Sequence, residues 1–187
     1  MAVSQKGIQD RAFRIASMTG GEDTASVIID NQVVFEDYFA IALREACISG
    51  SLNENEAVAL KRTFDITITN GEGTLDDAVL PECMDQSTLT DDADSSTPIS
   101  YSPRYGDFLA PAKPNQLSYY TIQGSKLLYR ALGDLPGVTD AAVHLTAVAL
   151  PTIPGTITTA MTIRPETAER VAQILAQKVL GAAAGGQ

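Results

Sequence analysis

His144 is the single histidine of the chain, so any hydrolysis run through a Ser-His-Asp relay would have to pass its proton there. It stands between Val143 and Leu145 in an alternating stretch, which reads as a strand histidine bonded to a neighbour or to water. No Gly-x-Ser-x-Gly elbow surrounds a serine. Paired carboxylates could cleave glycosides, but Asp76-Asp77 and Asp91-Asp92 are neighbours in sequence, whereas that mechanism needs two carboxyl groups facing each other across a bond. The chain also has no tryptophan to stack a sugar, which counts against a carbohydrate-active domain. Asp91, Asp92 and Asp94 could gather a calcium ion, yet they lack the EF-hand spacing and its bidentate twelfth ligand, so they read as a solvated run. Gly20-Gly21 and Asn70-Gly71-Glu72-Gly73 lack the Gly-Lys-Ser/Thr of a phosphate loop and read as turns. Cys47 and Cys83 are too few and too far apart for a disulfide framework or a zinc knuckle, and read as buried reduced thiols. These residues imply no catalytic group, cofactor or metal.

The elements that carry these residues fit one domain with an elaborate insertion, since 187 residues can bury a sizeable core without disulfides or a metal. Thirteen Lys and Arg against 23 Asp and Glu give a net charge of −10, which disfavours tight binding to nucleic-acid phosphates. The N-terminus has no apolar core of a signal peptide. Residues 141–163 carry no formal charge, a length that raises a membrane span. Pro151, Pro154, Gly155 and six threonines turn that reading toward strands around a corner.

Residues 1–30 keep only ragged helical spacing, Gly20-Gly21 ends whatever they form, and the segment reads as a mobile N-terminal arm whose first 20 residues are net +2 and suit an acidic partner. Phe35, Tyr38, Phe39, Ala42 and Ala46 form an apolar stripe that predicts a helix from Val33 to Ser49. The period-two run Thr63 to Thr69 predicts a strand, closed by the hairpin dipeptide Asn70-Gly71. Short extended pieces follow at 79–81 and 87–89, then an exposed, mobile polar loop at 91–98. Further strands are expected at 99–102, 117–123 and 126–131, the last two joined by Gly124-Ser125. Residues 141–150 read as a strand packed on both faces, with 157–163 as its partner. Pro165, Glu166 and the spacing of Ala168, Val171, Ala172, Leu175 and Val179 predict a helix over 165–180, followed by a flexible tail at 181–187. The fold class is α+β. Helices from both chain ends (31–60 and 164–180) pack together, and an antiparallel β-domain, sandwich or barrel-like, is inserted at 61–163.

The stretch Phe64-Asp-Ile-Thr-Ile-Thr-Asn-Gly-Glu-Gly-Thr-Leu-Asp-Asp-Ala-Val-Leu80, followed by Asp85-Gln-Ser-Thr-Leu-Thr-Asp91, resembles tailed-bacteriophage head-to-tail adaptor (connector or neck-ring) proteins. Tyr101-Ser-Pro-Arg-Tyr-Gly-Asp-Phe108, Leu117-Ser-Tyr-Tyr-Thr-Ile122, Lys126-Leu-Leu-Tyr129 and Leu150-Pro-Thr-Ile-Pro154 agree in order, so the resemblance spans roughly residues 35 to 180. It implies a structural virion protein with no catalytic turnover. Such a protein forms a closed homo-oligomeric ring, commonly twelvefold, between the portal and a tail-side protein at the head-to-tail junction. A tail-completion or minor capsid protein is the alternative. By this analogy the helical part meets the portal, with Phe35, Tyr38, Val171, Leu175 and Lys178 as candidate partner-binding residues. The β-part faces the tail or the DNA channel. Residues 71–98 hold eight acids and no Lys or Arg, and Asp76, Asp77, Asp91, Asp92 and Asp94 become candidate channel or rim acids past which DNA moves without being bound.

Overall fold

The computed structural model describes residues 3–29, 32–48, 52, 54–93, 96–103, 118–131 and 139–185, with the side chains of 20–37 and 183–185 left aside. In chain order the elements are β1 (Val3–Ser4), α1 (Gln5–Ile29), α2 (Gln32–Ile48), α3 (Glu54–Leu60), β2 (Lys61–Ile68), β3 (Glu72–Thr74), a 3-10 segment (Pro81–Gln86), β4 (Thr88–Asp91), β5 (Pro98–Tyr101), β6 (Tyr119–Gln123), β7 (Lys126–Arg130), β8 (Ala141–Val148), β9 (Ala160–Met161) and α4 (Pro165–Gly185). The chain is α+β, with helices at both ends and a central, mostly antiparallel barrel-like sheet. It divides into two compact units, residues 1–60 with 150–187 and residues 61–149. The first boundary falls where the sequence places it. The second falls at 149 and not at 163, because 150–163 returns to the helical unit.

In the helical unit α4 is the hub, and both α1 and α2 pack against it. Ala168, Val171, Ala172, Leu175, Ala176 and Val179 of α4 are buried, as are Phe39, Ala42, Leu43, Ala46 and Cys47 of α2, each set at the three-and-four spacing of one helix face. The segment expected to be an arm is part of this body. Ile8, Ala12 and Ala16 of α1 are buried at intervals of four. Their seam is largely alanine, which lets backbones approach closely but gives a weak hydrophobic period. Gly20-Gly21 lies inside α1 and does not end it. The 157–163 stretch does not partner β8. Its strand β9 pairs with β1 (Val3 opposite Met161, Ser4 opposite Ala160), and the Lys6 amide donates to the Ile157 carbonyl at 2.8 Å. Residues 181–185, expected in a flexible tail, continue α4, as alanine's helix propensity favours.

One buried ionic network ties the helices of this unit. Glu56 on α3 is 1 % exposed. Its carboxylate accepts from the Thr167 hydroxyl at 2.7 Å and from the Arg170 guanidinium at 3.2 and 3.3 Å, and Arg170 also donates to the Ala46 carbonyl at 3.3 Å. Elements α2, α3 and α4 therefore meet on one charge pair, whose hydrogen bonds offset the cost of removing it from water.

The second unit is a sheet of seven strands in the order β2-β8-β4-β5-β6-β7-β3. Every neighbouring pair is antiparallel except β5 with β6. The sheet comes back on itself through the β2–β3 hairpin, where Thr69 and Glu72 exchange backbone bonds of 2.9 and 3.1 Å. Asn70 and Gly71 between them hold φ of 53° and 79°, the two positive angles that a tight hairpin turn of this kind requires. The same turn is fixed on both flanks: the Gly71 amide donates to the Thr139 carbonyl at 2.7 Å and the Tyr129 amide to the Gly71 carbonyl at 2.9 Å.

Inside the barrel Ile66, Ile68, Leu89, Ile99, Tyr120, Leu127, Tyr129, Val143, Leu145 and Ala147 form one core, joined by Leu75, Val79 and Met84 from the connection to β4. They are the alternate residues of their strands, as a sheet with one inner face demands. Strand β8 follows this rule over most of its length. His144 and Thr146 are half-exposed, and only toward its end are consecutive residues, Ala147 and Val148, both buried. The expectation of burial on both faces therefore holds only there. At Gly73 the two edge strands close so tightly that a Cβ would stand 2.5 Å from Ile66 Cγ2 and 2.7 Å from Ile68 Cδ1.

Candidate functional site

The pairing register assembles a cluster of three titratable side chains on the barrel's outer wall. With Ile66 and Ile68 turned inward, Asp65 faces out on β2, and the register sets it opposite His144 on β8. On the other side β4 sets Thr90 opposite His144, so the chain leaving β4 brings Asp92 to the far edge of the ring. His144 Nδ1 lies 2.7 Å from Asp65 Oδ1, and Nε2 lies 2.9 Å from Asp92 Oδ1. A neutral imidazole has one N–H, so two carboxylate acceptors are both satisfied only by the imidazolium. Hydrogen bonding to Asp65 first, and to Asp92 next, raises the His144 pKa above its ordinary value, with desolvation opposing weakly. Both ring nitrogens are thus committed to carboxylates, which leaves neither to accept a proton from a hydroxyl nucleophile. The carboxylates sit at opposite ring edges and do not converge on a common point. Among the described residues no group of three or more His, Cys, Asp or Glu could hold a metal ion.

The candidate rim acids do not form one patch. Strand directions put the end of β2, the start of β8 and the end of β4 at one mouth of the barrel, together with Asp91, Asp92 and Asp140. The opposite mouth holds the start of β2, the end of β8, the β6–β7 turn and the chain after β3. Asp76 and Asp77 belong there, since the Leu75 amide donates to the Ser125 carbonyl at 2.9 Å and Val79 bridges to Ala149. Asp76, Asp77 and Asp92 are exposed and Asp91 is half-buried; Asp94 lies outside the described residues. Two of these carboxylates are used locally, Asp76 accepting from the Ala78 amide at 2.8 Å and Asp91 from the Ala93 amide at 2.9 Å.

On the helical unit the candidate partner-binding residues separate into two sets. Val171 and Leu175 are 0 % exposed. They are interior packing of α4 and offer no surface to a partner, because the helical stripe that singles them out is the stripe α1 and α2 cover. Tyr38 is half-buried, Lys178 is half-buried and donates to Glu45 Oε1 at 2.7 Å, and the Phe35 side chain lies outside the described set. Ile41, 47 % exposed, follows Tyr38 by three residues and precedes Glu45 by four, so Tyr38, Ile41 and Glu45 share a face of α2 that Lys178 reaches from α4. Elsewhere on this unit a groove of about 420 Å³ runs between the starts of α1 and α4, floored by Val3, Gly7, Ile8 and Ala168. Its rim is the Arg11–Glu169 pair, in which Nε and Nη2 along one guanidinium edge donate to both carboxylate oxygens at 2.9 to 3.2 Å. Hydrogen bonding to Arg11 holds the Glu169 carboxyl below its ordinary pKa.

Compared with known families and with curated proteins, the chain matches no family model and no curated sequence. Cys47 and Cys83 are both buried and form no disulfide. No helix among the described residues is long and apolar enough to cross a membrane. Sequence reasoning missed Asp65, Glu56, Ile41 and the Arg11–Glu169 pair. Asp65 was detectable as the one acid on the wet face of β2, but its partner depends on a register 79 positions away. Glu56 lies on α3, a helix of seven residues too short to show a clear apolar stripe in the sequence.

Proposed function

We propose that this chain is a structural subunit of the ring joining the portal to the tail of a tailed bacteriophage virion. The observation that carries the reading is the division of labour along the chain: both ends build one helical body, and a barrel is inserted between Leu60 and Leu150. A subunit seated between two different neighbours needs two chemically different bodies, and a ring further needs unlike faces on each subunit. The stretches that resemble adaptor proteins fall within this plan. Residues 64–80 build β2, the β2–β3 turn, β3 and the acidic connection after it, and 150–154 form the return to the helical unit.

In this reading the strip of Tyr38, Ile41 and the Glu45–Lys178 pair meets the portal or an adjacent subunit. A mixed apolar and charged strip suits an interface that forms late, because it stays soluble alone yet buries aromatic and aliphatic surface on docking. The acids at the barrel mouths keep fixed cations away from passing phosphates, and DNA transits without binding. The test is assembly. The chain is mixed with the portal complex encoded in the same genome, mass is measured by light scattering, and rings are sought by negative-stain microscopy. Ring-sized particles on the portal support the proposal. A persistent monomer overturns it, and capture by the tail tube in preference to the portal moves the chain to tail completion.

A further inference from the structure

We propose that Asp65, His144 and Asp92 form a proton-operated latch that fastens the end of β4, and the chain leaving it, to the outer wall of the barrel. Asp65 belongs to β2 and His144 to β8, both deep in continuous pairing, whereas Asp92 lies one residue beyond β4. The imidazole is therefore anchored on one side to a rigid strand pair and on the other to the first residue of a connection. Apart from the clamp, Asp92 is held by its amide, which donates to the Ala142 carbonyl at 2.9 Å. The side chains of His144, Asp65 and Asp92 are 35, 87 and 65 % exposed, so protons reach the clamp without any opening of the fold.

When the ring loses its proton it can donate to one carboxylate only. The bond to Asp65 is the shorter, so the remaining N–H stays on Asp65, and Asp92 then faces a ring nitrogen that has become an acceptor. Two acceptors in contact repel, and the connection after β4 is released. Among the described residues no other charge competes at the clamp. On β8 itself His144 is the sole ionisable residue; the residues flanking the ring from β2 and β4, Thr63, Thr67, Thr88 and Thr90, are uncharged. Of the nearby acids, Asp91 is turned to the Ala93 amide, and Asp140 accepts from the Asn70 amide at 2.7 Å. A group whose pKa is raised by folding stabilises the fold below its unfolded value and withdraws that stabilisation as pH climbs through the folded one. The latch is accordingly closed below the folded-state pKa of His144 and opens as pH rises through it.

Because the chain has one histidine, its ring resonances need no assignment by mutation. The experiment is a pH titration of the His144 ring nitrogens by NMR, run with amide hydrogen exchange of Asp92 and Ala93 in the wild type, Asp92→Asn and His144→Gln. The expected result is a midpoint above the ordinary 6.5, lowered in Asp92→Asn, and a several-fold loss of Asp92 and Ala93 protection in the wild type across that midpoint, relative to His144→Gln. A midpoint at or below 6.5 overturns the latch. So does wild-type protection that follows the same pH course as in His144→Gln. Neither readout depends on ring assembly, so failure here and failure of the proposed function are separable.

Discussion

Replacing Gly73 with alanine tests the closure of the barrel at its tightest point. The added methyl would stand 2.5 Å from Ile66 Cγ2, 2.7 Å from Ile68 Cδ1 and 3.2 Å from the Thr67 carbonyl oxygen. Carbon atoms rest at about 3.5 to 4.0 Å, so two contacts are short by roughly 1 Å each. Ile68 is 1 % exposed and Ile66 5 %, and both lie in the barrel core, which leaves neither an open direction for retreat. Overpacking of this kind costs about 1 to 3 kcal/mol, and two simultaneous clashes place Gly73→Ala near the upper end. The assay is urea unfolding followed by tyrosine fluorescence. Four of the six tyrosines, Tyr101, Tyr119, Tyr120 and Tyr129, are described in the barrel unit, and tryptophan is absent, so the signal reports chiefly on the barrel. Ile68→Val supplies the internal control, since it removes the Cδ1 atom. Alone it should cost about 0.5 to 1.5 kcal/mol, and in the Gly73→Ala background it should cost less or become favourable. A Gly73→Ala protein within about 0.5 kcal/mol of wild type, or strict additivity in the double variant, would refute the packing of β3 across β2.

Arg170→Met strips a nearly buried carboxylate of its countercharge and should lower the stability of the helical unit by about 3 kcal/mol or more, read by thermal unfolding followed by circular dichroism. The double variant Glu56→Gln/Arg170→Met should recover part of that loss, and a milder effect of Arg170→Met than of Val58→Ala, at a position of α3 that is 59 % exposed, would contradict the network. Arg11→Met should let the Glu169 titration rise toward its ordinary value. The stabilisation from that depressed pKa exists above the unfolded value and is lost as pH falls through the folded one, so the variant should show a shallower decline in acid. The pairs Asp76→Asn/Asp77→Asn and Asp91→Asn/Asp92→Asn, at opposite mouths of the barrel, should leave ring formation intact and each slow genome delivery; unchanged ejection from both kinds of particle would remove the acids from the transit path. Ile41→Asp should abolish capture by the portal while leaving the unfolding midpoint within about 0.5 kcal/mol of wild type, as expected of an exposed position.

Where large apolar residues set the period, local structure could be read directly. The α2 stripe predicts 33–49 and the helix spans Gln32–Ile48; the alternation through Phe64, Ile66 and Ile68 and the following Asn70-Gly71 give β2 and its turn. The α1 seam escaped because Ala12 and Ala16 bury little area individually, and because Gly20-Gly21 costs a helix only what packing elsewhere restores. The end of the barrel escaped for a different reason. Residues 157–163 have strand-like composition, and nothing local says that the partner is Val3–Ser4 at the far end of the chain. Val171 and Leu175 show the converse limit: a helical stripe announces burial and is silent about whether the covering surface belongs to the same chain. The Asp65–His144–Asp92 clamp needed the register of β2, β8 and β4: His144 and Asp92 were each visible beforehand as groups of interest, but not as partners, and Asp65 was not singled out.

The strand that opens the barrel and the strand that ends it are direct neighbours, with Lys61 paired to Val148. Entry and exit are therefore about 5 Å apart, the spacing of adjacent strands. A segment so attached is a cassette: it can be lifted out and its stumps rejoined by a two- or three-residue splice, or another barrel can be soldered in, without asking the helices to change their course. Recombination would need only two crossovers close together in space, though 89 codons apart, to join an existing helical unit to a different barrel.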